Sequence, residues 1–162
     1  IILNSFSKNF TMTGWRVGNI IAPDYIIKII QQVNENVVFT APSISQRAAI
    51  HALRHRDEVQ PAMIEEYRKR IFYSAERIAA IPRISVIDPP KGTFYLFINI
   101  RETGLTSVEA SDMILREAHV LTLPGDAFGN CGEGYIRIAC TCSINVLKEA
   151  FDRIERVMKA RV

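Results

Sequence analysis

Residues 57–81 form the longest stretch of the sequence that repeats with the period of an α-helix. Apolar side chains recur there every three or four residues, and Pro82 directly follows the stretch and would end the helix. Shorter apolar runs of strand length come next and alternate with further amphipathic stretches. This order predicts a mixed α+β or α/β fold in which helices pack on a small sheet. The apolar positions of the long helix are Met63, Ile64, Tyr67, Ile71, Ala75, Ile78 and Ala79.

The other elements are predicted from the same kinds of pattern. Residues 1–3 are expected to form a short buried strand, and residues 4–13 a polar loop. Two apolar runs, 84–87 and 93–98, flank a proline-rich turn and are expected to pair as antiparallel strands. The remaining predicted strands are 14–22, 120–123 and 135–141, and a loop is predicted at 124–129. Further helices are expected to open with Pro23 and Asp24, after an N-cap at Ser43, at Ser107 and after an N-cap at Ser143.

The composition excludes several classes of partner. Of the 162 residues, 48% are hydrophobic and 23% are charged, and the formal net charge is only +3, which is typical of a globular protein. The sequence has no basic stripe with interleaved aromatic residues, so nucleic acid is not an expected partner. No apolar run approaches the ~20 residues that a membrane span needs, so a membrane is not expected either.

The three cysteines, Cys131, Cys140 and Cys142, are an odd number without the spacing of a disulfide framework. Cys140 and Cys142 would share one face of a strand, but a metal site needs further ligands and no histidine lies near them in the sequence. We therefore expect reduced cysteines that pack as small apolar residues. This predicts no metal site and a cytoplasmic location.

A lysine directly after the first predicted strand is the strongest candidate for chemistry. Ser5 and Ser7 precede Lys8, and Arg16 follows eight residues later. A lysine attacks a carbonyl only through its neutral amine, which partial burial beside another cation favours. Hydroxyls and a guanidinium are suitable donors for a phosphate group. The alternative is a polar surface loop with a solvated lysine and arginine.

Arg137 lies in the middle of the apolar strand predicted at 135–141. A charged group among apolar neighbours is destabilising unless it has a partner, so this guanidinium must meet an acid. The acid could be a carboxylate of the protein, in a structural ion pair, or a carboxylate of a ligand.

The segment that contains Lys8 resembles the cofactor-lysine signature of the class I/II aminotransferases, fold type I of the pyridoxal-phosphate enzymes. The family pattern is Ser-x-Ser-Lys, an aromatic residue two positions after the lysine, and then Gly-x-Arg. The matching residues are Ser5, Ser7, Lys8, Phe10, Gly14 and Arg16. The resemblance implies that Lys8 is the catalytic residue that holds pyridoxal 5'-phosphate. It also implies that Ser5 and Arg16 bind the cofactor phosphate and that Ser7 supports the phosphate or the loop.

Three further segments resemble the same family, in the same order along the chain. Residues 91–95 are similar to its Gly-x-Phe-Tyr strand, and residues 124–129 to its Pro-Gly-x-x-Phe-Gly loop. Arg137 falls where the family carries the arginine that binds the substrate α-carboxylate. Cys140 and Cys142 depart from the aromatic and small residues often found there, which affects packing more than the role of the arginine.

The resemblance also predicts the place of this chain in a larger protein. Residues 1–36 would be the end of the large cofactor-binding domain, with its last strands, and residues 37–162 the small C-terminal domain, led by a long inter-domain helix. The chain opens with an apolar run in mid-element, as a piece of a longer protein would. The family's residues that contact the pyridine ring precede the lysine, so we expect the fragment alone to be inactive.

The intact protein is accordingly predicted to be a homodimer that transfers an amino group between an amino acid and a 2-oxo acid. Two alternatives stay open at the level of sequence. One is a pyridoxal-phosphate-dependent C–S β-lyase of the same fold. The other is the aminotransferase-like domain of a transcriptional regulator.

Overall fold

A computed structural model describes residues 1–161 of the chain. These residues form two compact units, Ile1–Met63 and a second unit that begins at Ile64. The boundary falls inside the longest helix, α4 (Arg56–Ala79). No helix in residues 1–161 is long and apolar enough to cross a membrane.

A two-stranded antiparallel sheet opens the first unit. Strand β1 (Ile2–Ser5) pairs with β2 (Gly18–Ile21), and Ser5 lies opposite Gly18. The strands approach closely at Gly18, where a Cβ atom would lie 2.6 Å from the carbonyl oxygen of Asn4. Glycine is therefore required at this position of β2.

The rest of the first unit is helical. Helix α1 (Phe6–Asn9) is a single turn after β1, and it precedes a short 3₁₀ turn, Thr13–Trp15. Helices α2 (Asp24–Val37), α3 (Ser43–Arg54) and the first residues of α4 follow. The small core of this unit consists of Phe6, Met12 and Ala49, with partly buried Phe10, Val17, Ala48 and Ala52 around it.

The second unit contains a three-stranded antiparallel sheet of order β3-β5-β4. Its strands are β3 (Tyr95–Asn99), β4 (Leu123–Pro124) and β5 (Tyr135–Ala139). Helix α5 (Ser107–Met113) continues as a π-helical turn, Ile114–Ala118, and α6 (Ile144–Lys159) ends the described part of the chain.

One face of this sheet is the core of the second unit. Alternate residues of β3 and β5 point to opposite faces, so each strand has a buried and an accessible side. The buried side packs against the C-terminal part of α4, α5 and α6, as predicted for helices on a small sheet. The largest side chains of this core include Ile78, Leu96, Ile98, Ile136, Phe151 and Ile154. The prediction of mixed helices and strands is thus confirmed.

The predicted antiparallel pairing of 84–87 with 93–98 is wrong except for a single bridge to the end of the second strand. Strand β3 instead pairs along its whole length with β5, and the earlier run contributes one isolated bridge, Ser85 to Asn99. Pro89 and Pro90 follow that run and have no N–H group to donate, so a ladder cannot continue through them.

Two predictions for the first unit are also wrong. Residues 1–3 lie in or beside a strand, but they are not buried, because both strands of the sheet are exposed along their length. The polar run 4–13 is not simply a loop, since it contains the end of β1 and all of α1.

The expected serine caps differ in detail. Ser43 is the first residue of α3, and Pro42 occupies the N-cap position. Ser143 does occupy the N-cap position of α6, but its side chain makes no capping hydrogen bond.

Candidate active site

Ser5 determines where the turn that carries Lys8 begins. It is both the last residue of β1 and the N-cap of α1, and its hydroxyl oxygen accepts a hydrogen bond of 3.2 Å from the N–H of Ser7. Serine is favoured at an N-cap because it satisfies a backbone donor that has no partner within the helix. Lys8 therefore lies on a short helical turn directly after the strand.

The core of the first unit anchors this turn. Phe6 is 4% exposed and stacks on Phe10 with 5.3 Å between the ring centres. The backbone N–H of Phe6 donates to the carbonyl of Val17, and the backbone N–H of Met12 donates to the carbonyl of Phe6. Lys8 remains exposed. The apolar anchor thus fixes the backbone on both sides of the lysine.

Arg16 adopts the left-handed backbone conformation, with φ 49° and ψ 52°. This region is uncommon for residues other than glycine, and such strain concentrates at functional sites. The Nη1 group of Arg16 donates 2.9 Å to the carbonyl of Thr13, and the Thr13 hydroxyl donates 2.9 Å to the carbonyl of Ser7. Two hydrogen bonds therefore connect Arg16 to the turn that carries Lys8. Thr13 was not identified from the sequence, which carries no signal for it.

The charges of this segment are not neutralised within residues 1–161. No carboxylate there forms an ion pair with Lys8 or Arg16. Ser5 and Ser7 add two hydroxyl groups close to the lysine in the same segment. The arrangement brings together an amine, two hydroxyls and a guanidinium, a donor set that suits an anion such as a phosphate group.

Arg137 lies in the second unit, on the accessible face of β5. Its guanidinium carbon is 4.3 Å from the centre of the Tyr95 ring and 4.4 Å from the centre of the Phe128 ring. In the part of the chain that the structure describes, no carboxylate lies within ion-pair distance of it. The alternative of an ion pair between Arg137 and a protein carboxylate therefore finds no support among the described residues. The guanidinium contacts two aromatic rings instead.

The aromatic residues around Arg137 form a continuous surface on this face of the sheet. Phe97, the cross-strand partner of Arg137, stacks on Tyr135 with 5.0 Å between the centres and 12° between the planes. Phe97 also meets Phe128 edge to face at 6.2 Å. The sequence had suggested the segments of Tyr95 and Phe128 only through resemblance, and no local pattern indicated that both would meet Arg137.

Two glycines place the loop that carries Phe128. A Cβ atom on Gly125 would lie 2.1 Å from the carbonyl oxygen of Gly132, and one on Gly132 would lie 2.0 Å from that of Gly125. The two backbones are thus in direct contact, which only glycine at both positions permits. This contact closes the loop between β4 and β5 and supports Phe128 beside Arg137.

The sequence of the chain matches the family model described as "Aminotransferase class I and II" over residues 1–154. The chain belongs to the class I and II aminotransferase family. Aspartate aminotransferase of Pyrococcus horikoshii is 41% identical over 161 residues, which cover 98% of this chain and 41% of that relative. Aromatic-amino-acid aminotransferase 2 of Thermococcus litoralis is 38% identical and is covered to the same 41%. The chain thus spans about two fifths of the length of these curated aminotransferases.

The fold agrees with this membership. The crystal structure of an aromatic aminotransferase from Pyrococcus horikoshii superposes with a TM-score of 0.89 at 39% identity, over 98% of this chain and 42% of that one. The helices and small sheets described above therefore match part of an aminotransferase structure.

Class I and II aminotransferases use pyridoxal phosphate, and the residues of the first unit suit this group. Four predicted cofactor residues, Ser5, Ser7, Lys8 and Arg16, lie in one segment that its own hydrogen bonds organise. Their donors are of the kind that a phosphate needs, and the amine of Lys8 is accessible. Arg137, the predicted substrate residue, lies in the second unit.

Proposed function

We propose that this chain is the C-terminal part of a pyridoxal-phosphate-dependent aminotransferase. Residues 1–36 would complete the large cofactor-binding domain, and residues 37–162 would form the small domain. The observation that carries the proposal is the hydrogen-bonded segment from Ser5 to Arg16. It presents the amine of Lys8 beside donors that suit a phosphate, and residues 1–161 provide no acidic partner for this amine.

Each residue of this segment has a distinct role in the proposal. Pyridoxal phosphate, when bound, supplies an electron sink that stabilises negative charge on the substrate Cα. Lys8 would hold the cofactor covalently through its ε-amine. With its amine free, Lys8 would accept the proton from the substrate Cα and return it, as general base and then general acid. Ser5 and Arg16 would hold the phosphate, and Ser7 would support the turn.

Arg137 would bind the substrate carboxylate. Its guanidinium has N–H groups on its edge, and a carboxylate in that plane accepts two parallel hydrogen bonds. Such a grip orients the bond from Cα to its hydrogen. The substrates would be an amino acid and a 2-oxo acid, and the intact enzyme would be a cytoplasmic homodimer.

Borohydride reduction of the full-length, cofactor-loaded enzyme tests the assignment of Lys8. We expect peptide mapping to place the reduced pyridoxyl group on Lys8, because reduction makes the covalent link to the lysine permanent. A Lys8→Arg variant should take up no label, whereas Lys91→Arg, a control at an exposed lysine, should be labelled as fully as the wild type. Labelling of any other lysine would refute the assignment.

Transamination and β-elimination are distinguished by one assay of the full-length enzyme. A transaminase consumes an amino acid only while a 2-oxo acid is present to receive the amino group. We expect no steady release of pyruvate and ammonia from cysteine or its S-alkyl derivatives without a 2-oxo acid. Steady release of both would instead identify a β-lyase.

A further inference from the structure

We propose that Tyr95 and Phe128 are positioning residues that together clamp the guanidinium of Arg137 and hold it ready for a carboxylate. The inference rests on the proposed function, in which Arg137 binds the substrate. It assigns to two aromatic side chains a part in that binding that depends on their rings and not on a hydrogen bond to the carboxylate.

The clamp consists of two aromatic rings that both contact the guanidinium. The ring centres of Tyr95 and Phe128 lie 4.3 Å and 4.4 Å from its central carbon, well within the ~6 Å over which a cation and an aromatic face attract. Tyr95 lies on β3 and Phe128 on the loop that precedes β5, so two separate elements hold the same cation.

Both rings are themselves held in place. Tyr95 is the first residue of the β3–β5 ladder, where it lies opposite Ala139, and its ring also contacts Phe94 with 4.4 Å between the centres. Phe128 contacts Phe97 and belongs to the loop that the contact between two glycine backbones closes. Both rings are therefore held in position by their own contacts.

The clamp has two physical consequences for Arg137. Arginine has several rotatable bonds, and a side chain that is ordered before the ligand arrives loses less conformational entropy on binding. The aromatic faces also compensate a charge that lacks an acidic partner in residues 1–161, and they do so without occupying its N–H groups. The guanidinium thus stays available for the in-plane, two-bond grip of a carboxylate.

Paired substitutions in the full-length enzyme test the clamp. Phe128→Leu and Tyr95→Leu each remove one aromatic ring from the clamp, whereas Phe128→Tyr and Tyr95→Phe keep the ring and are the matched controls. The extra hydroxyl of Phe128→Tyr can be accommodated, since Phe128 is 52% exposed. The readout is the ratio of kcat/KM for an amino acid to that for the corresponding amine without a carboxylate. A second readout is the Kd of propionate, an amine-free carboxylate, measured by calorimetry.

For each leucine variant we expect the substrate ratio to fall and the propionate Kd to rise by about 10-fold, or about 1.4 kcal/mol. The ring-preserving variants should stay within about 2-fold of the wild type in both readouts, a difference of less than 0.5 kcal/mol. If the leucine variants lower Tm but leave both readouts unchanged, the rings are structural and the clamp is refuted.

Arg137→Lys separates this inference from the proposed function. If that variant loses the preference for carboxylates while Phe128→Leu and Tyr95→Leu retain it, the clamp fails and the role of Arg137 stands. If Arg137→Lys itself retains the preference, the proposed role of Arg137 fails, and the clamp fails with it.

Discussion

The hydroxyl oxygen of Ser107 accepts a hydrogen bond of 2.9 Å from the backbone N–H of Gly134. It also accepts one of 3.3 Å from the N–H of Tyr135 and donates to the carbonyl of Gly132. Ser107 is completely buried, at the first position of α5, whereas Tyr135 begins β5. One side chain therefore ties the start of a helix to the start of the strand that carries Arg137.

Ser107→Ala should lower the free energy of unfolding by about 2 kcal/mol, because it leaves buried backbone donors without a partner. Urea denaturation of the full-length protein, followed by circular dichroism, measures the change. Ser111→Ala is the matched control on the same helix, since the Ser111 hydroxyl is buried and has no hydrogen-bond partner among residues 1–161. That control should be neutral or slightly stabilising. Equal losses in the two variants would contradict the role given to Ser107.

Gly125→Ala should destabilise the protein strongly, whereas Gly92→Ala should be tolerated. A Cβ atom at Gly125 would collide with the backbone of Gly132, but one at Gly92 would meet nothing within 4 Å. The backbone must move to relieve the first clash, and we expect a loss of about 3 kcal/mol in the free energy of unfolding, the upper end of the usual range for overpacked core sites. Thermal unfolding of both variants tests this. A wild-type Tm for Gly125→Ala would show that the loop between β4 and β5 is more adaptable than its geometry indicates.

Arg77 of α4 joins two carboxylates of α6, Asp152 at 2.7 Å and Glu155 at 3.1 Å. Hydrogen bonds from Lys148 and then from Arg77 lower the pKa of Asp152, and hydrogen bonds from Lys159 and then from Arg77 lower the pKa of Glu155. A group with a lowered pKa in the folded state stabilises the fold above its unfolded-state pKa, and this contribution is lost as pH falls through the folded-state value.

The Tm of the protein should therefore decrease as pH falls from about 4 toward 2, where these carboxylates become protonated. Asp152→Asn removes one of the titrating groups, so it should lower Tm at pH 7 and reduce the further loss between pH 4 and pH 2. Calorimetry at a series of pH values measures both effects. Glu102→Gln, at an exposed carboxylate with no ion pair in the described part of the chain, should leave the decrease in Tm between pH 4 and pH 2 unchanged. An equal decrease in Asp152→Asn and in the wild type would refute the linkage.

Arg137→Lys in the full-length enzyme should lower kcat/KM for amino acids by about 100-fold or more, because lysine keeps the charge but loses the planar pair of donors. Cofactor affinity should be nearly unchanged, since Ser5, Lys8 and Arg16 provide it in the proposal. Steady-state kinetics and cofactor titration measure the two effects. Amines without a carboxylate are the internal control, and an equal loss with both substrate types would contradict a carboxylate-binding role.

Several features could be predicted from sequence because each depends on residues that are close together along the chain. Helix α6 is one example, since it begins directly after Ser143, its expected N-cap position. The position of Arg137 within an otherwise apolar strand is another. Helical and strand periods are local properties, and they hold wherever the element packs.

The candidate site was predictable in part for the same reason. Ser5, Lys8 and Arg16 belong to one short segment, so a pattern of residue types was enough to single it out. The pattern did not indicate the helical turn at Lys8 or the left-handed conformation of Arg16. The helical turn depends on the side-chain cap at Ser5, and the conformation of Arg16 is held by its hydrogen bond to Thr13. Such local hydrogen bonds compete with others of similar energy, so the sequence alone does not show which of them form.

Only the tertiary structure decided what Arg137 contacts. Strand periodicity places the side chain of Arg137 on the side of the sheet opposite to Ile136 and Ile138, but it does not predict which strand is the neighbour. The pairing of β3 with β5 brings Tyr95 to the guanidinium, and the contact between Gly125 and Gly132 supports the loop that brings Phe128 to it. These contacts join residues that are far apart along the chain, so their formation depends on how the whole core packs. The sequence by itself therefore determined which groups are present and on which elements, and packing determined which of them meet.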